Sequence, residues 1–224
     1  MQQNLFKRII TSIVLLSLFL FINFSHEYIF FISILILGII VCIEGNNIFL
    51  KIFDFKLSKD INNIKNFNPK FLISNTITFC YIFFIFCNFS FEIYKSEGPF
   101  FFLFLISVCF FTDIGGYVCG KIIGGIKLTK ISPNKTLSGT IGSFIFSLIP
   151  LFIFHNSNYL ILEFNIQSII FCLLISLISQ LGDLLVSYLK RKAKIKDTGK
   201  ILPGHGGALD RIDGIIFAIP YSFF

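Results

Sequence analysis

Residues 160–189 read LILEFNIQSIIFCLLISLISQLGDLLVSYL. As a helix, this run is long enough to cross about 30 Å of hydrocarbon. Similar runs recur along the 224-residue chain, which is 55% hydrophobic and only 14% charged, with a mean hydropathy of +0.84. So little polar surface excludes a soluble globule, and continuous runs exclude a barrel, whose strands alternate apolar and polar residues. We therefore expect an all-α fold, a polytopic integral membrane helical bundle.

The hydrophobic runs predict about seven transmembrane helices. The runs cover residues 9–24, 28–43, 71–91, 98–118, 137–154, 160–189 and 214 to the end of the sequence. The first two are short and need tilt or flanking residues to span a bilayer. Lys7 and Arg8 precede the first run, but no small-x-small cleavage site follows it, so we expect an uncleaved helix there.

The basic residues predict the orientation. With the amino terminus in the cytoplasm, segments 1–8, 44–70, 119–136 and 190–213 are cytoplasmic and hold 18 of the 19 Lys and Arg. This is the positive-inside pattern, which explains the net charge of +7 without a nucleic-acid partner. The segment 44–70 either lies flat on the membrane surface or is a plain linker.

A polar stripe marks the end of the sixth run. Gln180, Asp183, Ser187 and Lys190 are spaced by three or four residues, so they share one face of a helix, and Arg191 follows them. An Asp at mid-bilayer costs about 2.5 to 3.5 kcal/mol on insertion scales, so Asp183 is expected to be functional or paired inside the bundle. The alternative is a structural contact between Asp183 and Lys190.

The fourth run ends in a comparable pattern. Asp113, Tyr117 and Lys121 are spaced by four residues, with Gly115, Gly116 and Gly120 among them. The glycines admit either close helix packing or close approach of a ligand's phosphates. Lys135 and Thr136 then precede the next run, where they indicate either a phosphate contact or helix capping.

Segment 190–214 is the densest in glycine and charge. Pro203-Gly-His-Gly-Gly207 cannot be helical and offers unhindered backbone donors, while Asp210 and Asp213 would share a helix face with Arg211 between them. Carboxylates repel an anionic ligand unless a divalent cation lies between the acids and the ligand. Mg²⁺ suits this place, because it binds one or two carboxylates together with substrate phosphate oxygens. The pattern therefore indicates phosphoryl or nucleotidyl transfer on a membrane-embedded substrate.

The same residues resemble a known signature. Ser187-x-x-Lys190-Arg191, Lys196-Asp197 and Pro203-Gly-His-Gly-Gly-x-x-Asp210-Arg211-x-Asp213 are similar to the signature of the phosphatidate cytidylyltransferases, or CDP-diacylglycerol synthases. Asp113-x-x-x-Tyr117-x-x-Gly120-Lys121 and Ser132-Pro-x-Lys135-Thr136-x-x-Gly139 resemble the second conserved region of that family. The likeness runs from about residue 110 to the end; Ser138 departs from it, since many members have Glu there.

The resemblance implies a reaction and a set of site residues. CTP and phosphatidate would give CDP-diacylglycerol and pyrophosphate, with Mg²⁺ required and a monovalent cation such as K⁺ allowed to share the site. The implied metal ligands are Asp183, Asp210 and Asp213, and the implied catalytic residues are Asp183, Lys190, Arg191, Asp210 and Arg211. The implied substrate-binding residues are Asp113, Tyr117, Lys121, Lys135, Thr136, Ser187, Lys196, Asp197, His205, Gly206 and Gly207.

The resemblance also implies an organisation and a location. Residues 1–97 would form the N-terminal spans, and residues 98–224 the catalytic region that carries the motifs. The site would face the cytoplasm from the bacterial inner membrane, and a homodimer is left open. Two rival functions stay open as well: a CTP-dependent polyprenol kinase, and a lipid or ion transporter that uses Asp183 and Asp113 for ion coupling.

Overall fold

Helices make up most of the part of the chain that the structure describes. The structure is a computed structural model that describes residues 2–53, 69–129, 132, 135–155, 157, 163–202, 204 and 206–223, with side chains from residue 9 onward. The helices are α1 (Gln2–Asn23), α2 (Glu27–Ile52), α3 (Pro69–Cys80), a π-helical segment (Tyr81–Cys87), α4 (Asn88–Ile122), α5 (Leu137–Phe146), α6 (Ile149–His155), α7 (Ile166–Lys192), α8 (Leu209–Ile212) and α9 (Ile215–Tyr221). These bounds confirm the predicted all-α class.

Four helical stretches have the length and composition to cross a membrane. They are Glu27–Ile52, Pro69–Ile122, Leu137–His155 and Ile166–Lys192. Their outward faces expose large apolar side chains such as Ile36, Phe84, Phe152 and Leu181. Faces of this kind are stable against lipid rather than water, so the chain is an integral membrane bundle. The count of seven spans and the cytoplasmic amino terminus stay predictions.

The longest of these stretches bends sharply at Gly98, whose φ of 85° and ψ of 175° are not helical. Tyr94 and Phe102 lie on either side of the bend, and both pack on the ring of Phe30, with centroid distances of 3.9 and 4.9 Å. A straight helix would separate them by about 12 Å along its axis. The bend lies at the first residue of the predicted run 98–118, so this run and the run 71–91 form separate helical arms.

The second helix is longer than its hydropathy predicted. The predicted run ended at residue 43, but α2 continues to Ile52 with Glu44 and Ile48 buried. The prediction that residues 44–52 begin a surface segment or linker is therefore wrong, because the charge of Glu44 is satisfied by hydrogen bonds inside the protein. Residues 54–68 of that segment lie outside the described residues.

Small residues hold the helices of the catalytic half close together. A Cβ at Gly115 in α4 would collide with the carbonyl oxygen of Gly142 in α5, and a Cβ at Gly214 before α9 would collide with Ser179 in α7. Close packing is therefore the role of Gly115, as one of the two interpretations predicted. These contacts bring the ends of α4 and α7 and the starts of α5 and α9 to the same region of the bundle.

Candidate active site

The predicted polar stripe of α7 is present, and its acid pairs across the bundle. Asp183 Oδ2 lies 2.5 Å from Lys135 Nζ, which precedes α5, and Asp183 Oδ1 accepts a hydrogen bond of 3.2 Å from Ser187 Oγ. Both members of the ion pair are about three-quarters buried, with side-chain exposures of 26% for Lys135 and 29% for Asp183. The alternative of an Asp183–Lys190 contact is therefore wrong, since Lys190 pairs elsewhere.

Two further carboxylates lie within electrostatic range of Asp183. Burial and the negative charges of Asp183 and Asp113 raise the pKa of Asp213, while Lys190 opposes the shift. Asp113 in α4 also lies within range of the cations Lys135 and Arg211. The packing of α4, α7 and α9 thus brings three of the predicted acids, Asp113, Asp183 and Asp213, within electrostatic range of one another, and their mutual repulsion favours a bound cation.

Asp210 organises the loop between α7 and α8. Its Oδ1 accepts from Lys190 Nζ at 2.8 Å, and its Oδ2 accepts from the backbone N–H groups of Thr198 at 2.8 Å and Gly207 at 3.0 Å and lies 3.0 Å from the Thr198 hydroxyl oxygen. Burial alone would raise the pKa of Asp210, but these hydrogen bonds and the Lys190 charge lower it below its ordinary value. Asp210 is therefore held as an ionised anchor of the loop.

The predicted glycine turn forms a tight hairpin closed on itself. The N–H of Leu202 donates to the carbonyl of Gly206 at 2.9 Å, and the N–H of Gly206 donates back at 3.2 Å. Gly204 and Gly206 have φ of 78° and 88°, which L side chains rarely adopt. Since Gly207 donates to Asp210, both predicted phosphate donors, Gly206 and Gly207, are engaged within the loop, and their role with substrate stays a prediction. His205 lies outside the described residues.

Three other predicted substrate residues make local contacts. Lys121 Nζ donates to Tyr117 OH at 3.2 Å on the exposed surface of α4 and lies 5.4 Å from the centre of its ring. Thr136 caps α5, since its hydroxyl accepts from the Gly139 N–H at 3.1 Å, which confirms the capping interpretation. Substrate binding by these residues stays a prediction.

The remaining predicted charged residues are exposed and lie in or beside the same loop. The cations are Arg191 near the end of α7, Lys196 in the loop and Arg211 in α8, next to the anchored Asp210, and the acid is Asp197 in the loop. A cluster of exposed cations beside buried carboxylates suits a ligand that carries several phosphates and arrives from water.

One buried acid of the site was missed by the sequence reasoning. Glu44 in α2 is 1% exposed, and its carboxylate accepts from the Thr198 hydroxyl at 2.8 Å, the Ala208 N–H at 3.0 Å and the Leu209 N–H at 2.9 Å. The sequence signal was present but weak: an acidic residue directly following an apolar run. Such a residue normally marks the end of a span, so it was assigned to the surface segment.

The carboxylate oxygens of Asp183 and Asp213 are of the kind that binds Mg²⁺. Among the described residues, no group of three or more His, Cys, Asp or Glu is arranged to hold a metal by itself. Mg²⁺ requires only one or two carboxylates, because waters and substrate phosphates complete its octahedron. Asp183 and Asp213 supply such oxygens, with Asp113 within electrostatic range of both.

Comparison with known families agrees with this geometry. The model of a family described as the cytidylyltransferase family matches residues 47–224, which is most of the chain. The chain belongs to the cytidylyltransferase family. The match covers the bend at Gly98 and all the predicted site residues, while Glu44 lies just before it.

Proteins similar to this chain are found in several bacteria. It is 44% identical over 131 residues to the phosphatidate cytidylyltransferases of Staphylococcus saprophyticus and Staphylococcus aureus, a match of 56% of this chain and 48% of each relative. It is 42% identical over 128 residues to the phosphatidate cytidylyltransferase of Helicobacter pylori, covering 57% of this chain and 47% of the relative. The chain therefore spans about half the length of the curated relatives it matches.

Proposed function

We propose that this cytidylyltransferase transfers the cytidylyl group of CTP to phosphatidate, giving CDP-diacylglycerol and pyrophosphate. The observation that carries the proposal is the pair of ion pairs Lys135–Asp183 and Lys190–Asp210, which lie along the carboxyl-terminal part of the lipid-facing helix α7. Such a place is reached both by a lipid headgroup and by a water-soluble nucleotide. The bacterial relatives that carry this name support the same substrates.

The reaction needs little acid–base chemistry from the protein. A phosphate monoester has a second pKa near 6, so the phosphatidate phosphate is largely deprotonated at neutral pH and attacks without a general base. One of its oxygens forms a bond to the α-phosphorus of CTP, and the bond from that phosphorus to the pyrophosphate oxygen breaks. The protein then has to align two anions and neutralise their charge, for which Lys135, Lys190 and Arg211 are suitably placed.

We propose Asp183 and Asp213 as the residues that hold Mg²⁺. When bound, the ion supplies charge neutralisation on the phosphate oxygens. Asp210 stays a predicted ligand, with the loop contacts of its two oxygens as its alternative role. A shared K⁺ also stays a prediction.

The proposed location is the bacterial inner membrane, with the site residues on the cytoplasmic side. The support is the distribution of charge, since 18 of the 19 Lys and Arg fall in the segments assigned to the cytoplasm. CTP is made in the cytoplasm, so a site on the cytoplasmic side of the membrane would be accessible to both CTP and the lipid. Whether two chains associate stays open.

A product assay with two differently labelled nucleotides tests the function. The purified full chain in detergent is given phosphatidate, Mg²⁺ and CTP labelled at either the α- or the γ-phosphorus. We expect the α-label in the lipid and the γ-label in pyrophosphate, and neither transfer when a chelator is present. A γ-label in the lipid would identify a lipid kinase instead, and no labelled lipid from either nucleotide would contradict the proposal.

A further inference from the structure

The strongest unexplained feature is the buried carboxylate of Glu44. It lies in α2, outside the catalytic half of the chain, and no step of the proposed reaction uses it. A carboxylate in such surroundings is strongly disfavoured unless hydrogen bonds satisfy it. Among the described residues, three side-chain hydrogen bonds satisfy it, and they come from the segment 198–209: one from the Thr198 hydroxyl and two from the N–H groups of Ala208 and Leu209.

The loop is shaped to close around this carboxylate. A Cβ at Gly199 would collide with Glu44 Oε1, and a Cβ at Gly207 would collide with both Glu44 oxygens and with the Thr198 hydroxyl. Glycine at these two positions therefore lets the backbone approach the acid from both sides. The two ends of segment 198–209, eleven residues apart, are thus fixed to one side chain of a distant helix.

A short chain of contacts links Glu44 to the predicted catalytic residues. The Thr198 hydroxyl lies 2.8 Å from Glu44 Oε2 and 3.0 Å from Asp210 Oδ2. Asp210 in turn accepts from Lys190 at 2.8 Å. A change at Glu44 therefore reaches Asp210 through one side chain, and reaches Lys190 through one more.

We infer that Glu44 is a positioning residue for the transfer reaction. The Glu44 carboxylate holds both ends of segment 198–209. It thereby fixes the positions of Asp210 and Arg211, which follow that segment, relative to Lys190 near the end of α7. The inference rests on the proposed function for its kinetic consequence, but the loop geometry itself does not depend on which substrate is used.

The test compares Glu44→Gln with a matched control, Glu27→Gln, which makes the same change at the other end of α2. Backbone hydrogen exchange is measured by mass spectrometry on the purified full chain in detergent. We expect Glu44→Gln to exchange about tenfold faster or more in segment 198–209, the factor expected for losing a hydrogen bond to a charged group, with exchange in α7 unchanged. The control should match the wild type throughout.

Kinetics provide the second measurement. For Glu44→Gln we expect the kcat for CDP-diacylglycerol formation to fall about tenfold or more, with a smaller change in the KM for CTP, since ground-state contacts to the nucleotide are kept. Thr198→Val should cause a similar fall, and the double variant should be little worse than either single one, because both act through the same contact. Thr198→Ser, which keeps the hydroxyl, should restore most of the activity.

Several outcomes would overturn the inference. One is exchange in segment 198–209 that is unchanged in Glu44→Gln; another is faster exchange throughout the chain, which would mean a general loss of stability. A kcat equal to that of the Glu27→Gln control would overturn it too. If the wild type makes no CDP-diacylglycerol, the proposed function fails, and the exchange rates alone then decide whether Glu44 holds the loop.

Discussion

Asp183 combines an ion pair with a carboxylate cluster, so one substitution there changes both. Asp183→Asn keeps the size of the side chain but removes the counter-charge of Lys135 and one proposed ligand of Mg²⁺. We expect product formation to fall by at least about 100-fold, the loss typical of removing one preorganised electrostatic group from an active site. The measurement is CDP-diacylglycerol formation by the purified variant.

The control for this change is Glu97→Gln, because Glu97 is an exposed acid next to the bend at Gly98 and belongs to none of the motifs. It should retain wild-type activity. Near-normal turnover by a well-folded Asp183→Asn variant would remove Asp183 from the metal site and from the reaction.

The sequence predicted which residues matter in the catalytic half better than it predicted their partners. Asp183, Lys190 and Asp210 were identified from helical spacing and from the signature. Their actual pairing, Lys135 with Asp183 and Lys190 with Asp210, depends on how α5 and α8 pack against α7, and spacing along one helix contains no such information. Glu44 was missed for the same reason, since its partners are 154 to 165 residues away in the sequence.

Among the helices, the α4–α5 pair depends most on small residues. A Cβ at Gly142 would collide with Cys119 and with the carbonyl oxygen of Gly115, and neither can move without moving the helix. We therefore expect Gly142→Ala to destabilise the protein by about 1 to 3 kcal/mol, the range for overpacking a tight contact. It should also lower activity, because Lys135 precedes α5 and would shift away from Asp183.

Thermal unfolding in detergent measures this effect, and Gly45→Ala is its control. A Cβ at Gly45 in α2 would lie 3.6 Å from Thr78, an ordinary van der Waals distance, so this variant should match the wild type. Equal stability of the two alanine variants would show that α4 and α5 can separate without loss.

Helix existence was predicted well from hydropathy, while helix ends were not. The predicted run 28–43 stopped before Glu44, Asn46 and Asn47, which a hydropathy count treats as water-facing. In the structure, Glu44 is satisfied by the loop and Asn46 Oδ1 accepts from Asn75 Nδ2 at 2.6 Å, so α2 continues. A hydropathy scale scores each residue alone and cannot register a partner from another part of the chain.

For the molecule as a whole, the predicted orientation follows from charge alone and can be measured directly. Lys95 and Lys200 are both exposed, and the positive-inside pattern assigns them to opposite sides of the membrane. A membrane-impermeant maleimide on intact cells should label Lys95→Cys, and it should label Lys200→Cys only after the membrane is opened.

Labelling of the unsubstituted protein sets the background, because the chain has six cysteines of its own. The reverse pattern of labelling would place Lys200 and the site residues around it outside the cytoplasm. CTP would then not reach them, and the proposed reaction would fail with the orientation.

The contact between Lys135 and Asp183 also has a thermodynamic consequence for ligands of opposite sign. An anion that captures the ammonium group leaves the acid without its counterion, and a cation that captures the acid frees the ammonium group for an anion. Binding of either ligand therefore lowers the free-energy cost of binding the other. The anion and the cation thus bind with positive cooperativity.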